Sequence, residues 1–131
     1  MIINSKKRSF GIGSKVSLFT LGTMRAVDSK IKMYKIIKYA YLAGINHLET
    51  APSYGEAETF IGEAIEKLDK FEKVPKQNWV ITTKILPNGN FEELKKCFFN
   101  SLKNLKVERI DNVAIHGLNL FQHLDWILKG E

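Results

Sequence analysis

The sequence has 131 residues, 44% of them apolar and 26% charged, which predicts one soluble globular domain with no membrane-spanning segment. Its formal net charge is +6, but the lysines are spread along predicted helix faces and no basic stretch alternates with aromatic residues, so we expect neither a nucleic-acid nor a membrane partner. The single cysteine excludes an intramolecular disulfide framework, and the basic N-terminus lacks the apolar segment of a secretory signal, so we expect a reduced, cytoplasmic setting.

The chain begins with a predicted hairpin at about residues 8–18, in which two short extended runs flank the turn Gly11-Ile12-Gly13-Ser14. A first strand follows at residues 19–23, and Asp28 or Ser29 can cap the helix behind it. One face of that helix is apolar at helical spacing: Met33, Ile36, Ile37 and Ala40.

The second strand is predicted at residues 46–50, and a helix follows it. Ser53 and Glu56 stand in the S-x-x-E spacing of a capping box, which predicts that they open this helix. Its apolar stripe is complete: Ala57, Phe60, Ile61, Ala64, Ile65 and Leu68.

Two more strand–helix pairs continue the pattern. The β-branched run at residues 79–85 predicts a third strand, and residues 110–115 predict a fourth. A fourth helix is predicted to begin near Phe121. Because Cys97 falls on the apolar side of the third helix, it is interpreted as a small core residue and not as a nucleophile. That side comprises Leu94, Cys97, Phe98, Ser101, Leu102 and Leu105.

These elements predict an α/β fold in which the hairpin precedes about four βα units at about residues 19–129, within a single domain at residues 1–131. Strand starts lie roughly 30 residues apart, the size of a βα unit with its crossover. Alternating strands and helices favour a parallel sheet with the helices packed outside it. Right-handed crossovers leave two architectures open, a doubly wound sheet or an arc of a TIM-type βα barrel.

Several polar side chains follow the predicted strands at their carboxyl ends, where function gathers in parallel α/β folds. Gly22-Thr23-Met24 ends the first strand, and Glu49 ends the second, with Tyr54 in the loop beyond it. Lys84 stands at the end of the third strand and His116 at the end of the fourth. We therefore expect these residues to lie on one rim of the sheet.

These residue types suit one chemistry. A tyrosine, with a reference pKa of about 10, donates a proton only if the tyrosinate is stabilised, and a lysine ammonium nearby stabilises it. A carboxylate holds the lysine in place, and a histidine can orient and polarise a substrate carbonyl. Together the groups suit protonation of an oxygen while hydride from a cofactor reaches the carbon. No metal site is predicted.

Each residue taken alone also has a structural explanation. Tyr54 could be a surface phenol, Glu49 and Lys84 could form a structural ion pair, and His116 could be a turn or core histidine. Because all four occur together at the carboxyl ends of the predicted strands, we favour the interpretation that they descend from a catalytic site. The remaining histidines are interpreted as bystanders: His47 and His123.

The segments LGTMR, GINHLETAPSYGEAETFIG, WVITTKI and IDNVAIHG resemble, in order and spacing, those of the aldo-keto reductases over about residues 8–117. This resemblance implies a (β/α)8 barrel with a hairpin closing its bottom, and reduction of carbonyl substrates with NADPH. It places the tyrosine, lysine and histidine of the family's Asp-Tyr-Lys-His tetrad on Tyr54, Lys84 and His116. It also implies that Gly22, Thr23 and Met24 lie near the nicotinamide end of the cofactor.

Two features depart from the family pattern. Glu49 replaces the usual aspartate with a side chain one methylene longer, and pairing with Lys84 would need a slight shift of the strand or of the lysine rotamer. The segment HLETA resembles the sequence found in a subgroup of the family whose members have an additional iron–sulfur region. The second departure is length, because a complete barrel takes ~250 residues.

A half-barrel leaves open strand edges and an apolar inner face, which are sites of pairing and aggregation. The sequence is therefore compatible with three states: a truncated piece of a longer reductase, a self-associating chain that closes a barrel with a second copy, or a non-catalytic remnant that serves as an interaction or structural module.

Overall fold

The computed structural model of the chain describes residues 6–11, 13–87 and 89–129. Strands and helices alternate after an initial strand pair, as the sequence predicts. The strands are β1 (Lys7–Phe10), β2 (Ser14–Ser17), β3 (Thr20–Gly22), β4 (His47–Glu49), β5 (Val80–Ile85) and β6 (Asn112–Ile115). The α-helices are α1 (Lys30–Leu42), α2 (Ala57–Glu72), α3 (Phe91–Leu105) and α4 (Phe121–Lys129), and a short 3-10 helix spans Lys76–Asn78. No helix among the described residues is both long and apolar enough to cross a membrane.

The predicted hairpin is present as the antiparallel pair β1–β2, in which Lys7 lies opposite Ser17. Gly13 in its turn has a φ of +88°, a conformation that favours glycine. Ile12, in the middle of the predicted turn, lies outside the described residues. The hairpin contacts the main sheet, because the Asn46 side chain accepts from the Ser17 amide and donates to the Lys15 carbonyl.

The main sheet has the order β3-β4-β5-β6, and every neighbouring pair is parallel. A doubly wound sheet would reverse its strand order at a switch point, whereas this order follows the chain from end to end. The structure therefore selects the barrel arc from the two predicted architectures, and the chain forms a half-barrel. The register places Gly22 opposite Glu49 and Lys84 opposite Ala114, so the strand ends meet at one rim.

The core lies between this sheet and the helices outside it, and α2 is its centre. Its fully buried large side chains come from α1, α2, α3, β4, β5 and the residue just before β5: Met33, Ile37, Leu48, Ile61, Ile65, Leu68, Trp79, Ile81 and Leu105. The helices α2 and α3 approach closely at Gly62, where a Cβ would lie 2.3 Å from the Asn104 carbonyl oxygen. Only a glycine permits this approach.

The apolar side predicted for the third helix is confirmed, because all six of its residues are buried or half-buried while the other residues of α3 are exposed. Only Ser101 and Leu105 of α3 are buried, and Cys97 is half-buried instead of a core residue. The two buried residues lie in the C-terminal half of the helix, where Gly62 of α2 approaches it. In α4, similarly, His123 is buried while Leu124 and Ile127 are exposed, so His123 contributes to packing.

The predicted capping box at Ser53 and Glu56 is also wrong. The helix α2 begins at Ala57, with Glu56 as an N-cap residue whose side chain makes no capping hydrogen bond. A capping box stands instead at the start of α3, where Asn90 and Glu93 exchange side-chain and backbone hydrogen bonds. The first helix is capped by the Ser29 side chain, one of the two predicted alternatives.

Candidate active site

The four residues predicted to form the site lie at one end of the half-barrel. Glu49 is the last residue of β4, Lys84 the penultimate residue of β5, and His116 follows β6 directly. Its amide donates to the Ile85 carbonyl at 2.7 Å, which extends the pairing of β5 and β6 to His116. Tyr54 reaches the same place from the turn between β4 and α2, where its amide donates to the Ala51 carbonyl.

Lys84 is the centre of the site. Its Nζ forms an ion pair with Glu49 Oε1, donates to Tyr54 Oη at 2.9 Å, and donates to the Thr50 carbonyl at 3.1 Å. An ammonium has three N–H donors, so these three acceptors can occupy all of them and fix its orientation. The longer Glu49 side chain therefore reaches the lysine, in spite of its departure from the family aspartate.

The electrostatics of Lys84 result from two opposed effects. Burial lowers the pKa of the Lys84 ammonium from its ordinary value, because the charged form loses hydration. The Glu49 carboxylate supplies a counter-charge in direct contact, and the ammonium also lies 4.6 Å from the centre of the Tyr54 ring. The Lys84 ammonium is thus held in contact with the Tyr54 phenol.

The direction of the Lys84–Tyr54 hydrogen bond decides what the phenol can do. An ammonium only donates, so Tyr54 Oη is the acceptor. The hydroxyl proton of Tyr54 is therefore not used by Lys84, and can be donated to another acceptor. If that proton leaves, the remaining oxyanion already has a positive charge at hydrogen-bond distance.

His116 flanks the phenol on its other side. The rings of Tyr54 and His116 are 5.6 Å apart and nearly perpendicular, in the edge-to-face arrangement that aromatic pairs favour. Ser53 Oγ lies 3.2 Å from His116 Nδ1. A serine hydroxyl that donates to Nδ1 selects the tautomer whose proton is on Nε2, which leaves Nε2 as a donor for a substrate oxygen.

Ser53 is a site residue that the sequence analysis assigned to helix capping. The S-x-x-E spacing is a local pattern, whereas the partner of Ser53 lies 63 positions away on the rim of β6. The position of Ser53 directly before Tyr54, in the loop after a strand end, is the signal that could have placed it in the site.

The three residues predicted to contact the cofactor stand beside Glu49. Gly22 is exposed on the rim, and a Cβ there would lie in ordinary van der Waals contact, 3.6 Å from Glu49 Oε2. Thr23 is buried, and both its amide and its hydroxyl donate to the Glu49 carbonyl, at 3.1 and 3.0 Å. Met24 is 45% exposed at the rim. Contact of this segment with a cofactor stays a prediction, but Thr23 also fixes the backbone of Glu49.

The histidine below the site, His47, is buried in the sheet interior between two hydroxyls. Its Nδ1 lies 2.8 Å from Thr20 Oγ1 and its Nε2 lies 2.8 Å from Thr82 Oγ1. Burial lowers the pKa of His47, and nearby Asp111 opposes that effect only in part. Both ring nitrogens are thus occupied, and His47 links three neighbouring strands.

Comparison with known proteins finds relatives of this chain by sequence. The sequence profile of the Aldo/keto reductase family matches residues 19–119. Aldo-keto reductase family 1 member A1 of Mus musculus is 30% identical over 115 residues, which cover 86% of this chain and 34% of the mouse protein. The chain thus spans about a third of the length of the curated relatives that it matches.

Solved structures show the same relationship. A putative aldo-keto reductase from Pseudomonas aeruginosa superposes with a TM-score of 0.74 at 27% identity, over 94% of this chain and 51% of that protein. The fold is also shared with the holo form of aldo-keto reductase AKR11C1 from Bacillus halodurans, with a TM-score of 0.75 at 24% identity, over 95% of this chain and 44% of that protein. From the profile match over most of its length, we conclude that this chain belongs to the aldo/keto reductase family.

Proposed function

We propose that this chain carries the proton-donating part of a site that reduces small carbonyl substrates with NADPH. The observation that supports this most directly is the set of three contacts made by Lys84 Nζ, one ion pair and two hydrogen bonds. They join Glu49 and Tyr54 to one cation. A purely structural ion pair would not need a phenol whose proton is left available.

In the proposed reaction, Tyr54 donates its hydroxyl proton to the carbonyl oxygen of the substrate. Lys84 stabilises the tyrosinate that forms, and Glu49 keeps the lysine in place. His116 donates from Nε2 to the same carbonyl oxygen and orients it, with Ser53 holding the ring. NADPH, when bound, supplies the hydride that a protein side chain cannot supply.

The described residues fit only one end of that cofactor. Gly22 and Met24 are both exposed at the rim beside Glu49, which suits contact with a flat nicotinamide ring. In the resembled family, the loops after the seventh and eighth strands bind the phosphates and the adenine. A complete barrel is therefore part of this proposal. A cytoplasmic location and the iron–sulfur subgroup stay predictions from the sequence.

The test measures cofactor binding and turnover separately. Purified chain is titrated with NADPH while nicotinamide fluorescence is followed, and turnover is followed as loss of nicotinamide absorbance with a panel of aldehydes. The same assays are run on a chimera in which the chain replaces the matching part of the Pseudomonas aeruginosa protein. No binding at millimolar NADPH by the chain alone would exclude independent catalysis by these 131 residues.

The variant Tyr54→Phe tests the proton donor in whichever protein turns NADPH over. We expect a loss of turnover of about 10²-fold or more, with binding of NADPH retained. Tyr39→Phe is the matched control, because Tyr39 is exposed on α1 and lies away from the site. Equal turnover by Tyr54→Phe and the parent protein would refute the proposed role.

A second candidate is a non-catalytic half-barrel that acts as an interaction or self-associating module. The observation that favours it is the exposed apolar surface next to the open edge β6, where Phe121 is 91% and Leu128 74% exposed. Sedimentation should then give twice the chain mass. Tyr54→Phe should leave the affinity of the chain for its binding partner unchanged. A monodisperse monomer would exclude pairing of two copies.

A further inference from the structure

The first turn of α2 contains a carboxylate that the proposed reaction does not use. This residue, Glu58, lies four positions after Tyr54 in the sequence and is only 2% exposed. Among the described residues, no lysine, arginine or histidine forms an ion pair with it, whereas buried carboxylates are usually paired with a cation. Its position in the first helical turn offsets part of the cost of burial.

The hydrogen bonds of Glu58 connect three elements. Its Oε1 accepts from Thr83 Oγ1 at 2.7 Å, and its Oε2 accepts from Asn104 Nδ2 at 3.4 Å. Thr83 is itself buried, and precedes Lys84 on β5. Because successive strand residues point to opposite faces, Thr83 faces the helices while Lys84 faces the barrel interior.

The other end of this connection leads to the phenol. The Ala57 amide, at the first residue of α2, donates to the Tyr54 carbonyl at 3.2 Å. The turn that carries Tyr54 is therefore joined to α2, and α2 is joined through Glu58 to the strand that carries Lys84. The 2.9 Å contact between the two site residues thus depends on how α2 seats on β5.

We infer that Glu58 is a positioning residue for the site: through its hydrogen bond with Thr83, it sets the separation between the Tyr54 hydroxyl and the Lys84 ammonium. The inference rests on the proposed function for its consequence in catalysis, but the geometric part stands independently. A displacement of about 1 Å in a reacting group can cost as much as 10²-fold in rate.

The test uses two readouts on a set of near-isosteric variants. Thr83→Val keeps the shape of the side chain and removes its hydroxyl, whereas Thr83→Ser and Glu58→Gln keep a donor–acceptor pair. Ser101→Ala is the matched control, because this buried hydroxyl of α3 has no hydrogen-bond partner among the residues that the structure describes. Crystal structures of the chain give the Oη–Nζ separation, and kinetics with NADPH give kcat and KM.

For Thr83→Val we expect the Tyr54 Oη–Lys84 Nζ separation to exceed hydrogen-bond distance, and kcat to fall by roughly ten- to a hundredfold with KM for NADPH unchanged. Thr83→Ser, Glu58→Gln and Ser101→Ala should keep the parent separation and kcat. If Thr83→Val does not fold, Thr83→Cys supplies a weaker donor of similar size and should give a smaller change in the same direction.

A Thr83→Val protein that is less stable, but keeps both the parent separation and the parent kcat, would overturn the inference. The same holds if Thr83→Ser fails as badly as Thr83→Val, because the hydroxyl would then not be what matters. Failure of the proposed function is a distinct result. In that case the parent protein does not oxidise NADPH, while the crystallographic separation still responds to the variants.

Discussion

Replacing Gly62 with alanine should force α2 and α3 apart. A Cβ at this position would lie 2.3 Å from the Asn104 carbonyl oxygen and 2.8 Å from the Leu105 carbonyl carbon. Both neighbours are backbone atoms, so no side-chain rotation can relieve the contact. To restore an ordinary van der Waals separation, α3 must move by about 1 Å relative to α2.

The cost follows from two opposing terms. Overpacking of a close seam costs about 3 kcal/mol at the upper end of its usual range, whereas alanine is better than glycine in a helix by about 1 kcal/mol. We therefore expect Gly62→Ala to lower the free energy of unfolding by about 2 kcal/mol, a large part of the 5–15 kcal/mol typical of a domain.

Urea unfolding provides the measurement, with tryptophan fluorescence, to which the buried Trp79 and also Trp126 contribute, as its signal. The pair Lys67→Ala and Lys67→Gly, on the exposed face of the same helix, measures the propensity term separately. If Gly62→Ala is as stable as the parent chain, or gains stability as the Lys67 pair predicts, the close approach of the two helices is not as described.

Three further predictions concern individual side chains. Burial lowers the pKa of His47, so at mildly acidic pH the folded chain binds fewer protons than the unfolded chain. The free energy of unfolding should therefore decrease as the pH falls below about 6.5. In His47→Gln, the midpoint of urea unfolding should lose this part of its pH dependence. Ser53→Ala removes the partner of His116 Nδ1, and should lower kcat by at most about tenfold while Thr at the same position restores it. Burial and the nearby Glu58 raise the pKa of the Cys97 thiol, so alkylation at neutral pH should be slower than that of glutathione until urea unfolds the chain.

The sequence predicts the order of the elements and the rim residues, because both depend on local information. Strand patterns and helical spacing define the βα units, and the parallel topology then brings the strand ends to one edge. Glu49, Lys84 and His116 could therefore be assigned to one rim before any contact was known. The choice between a barrel arc and a doubly wound sheet needed the strand order itself.

The errors have the opposite origin, since they concern residues whose environment is set by distant partners. Ser53 matches a local capping pattern, yet its hydroxyl pairs with His116 across the site. Glu58 drew no prediction from the sequence, because the groups that donate to its carboxylate, a threonine and an asparagine, belong to other elements. The side of α3 that is buried was predicted correctly, but how deeply Cys97 is buried on that side depends on the neighbouring elements, which spacing alone cannot show.

The glutamate at the end of β4 shows how a departure from a family pattern can be accommodated locally. Its Oε1 pairs with Lys84, and its Oε2 lies beside Gly22, where even an added Cβ would be at an ordinary contact distance of 3.6 Å. The backbone of Glu49 is fixed at the same time by two hydrogen bonds from Thr23. The extra methylene is therefore taken up within the rim, and the ammonium still has a third donor for the Tyr54 phenol.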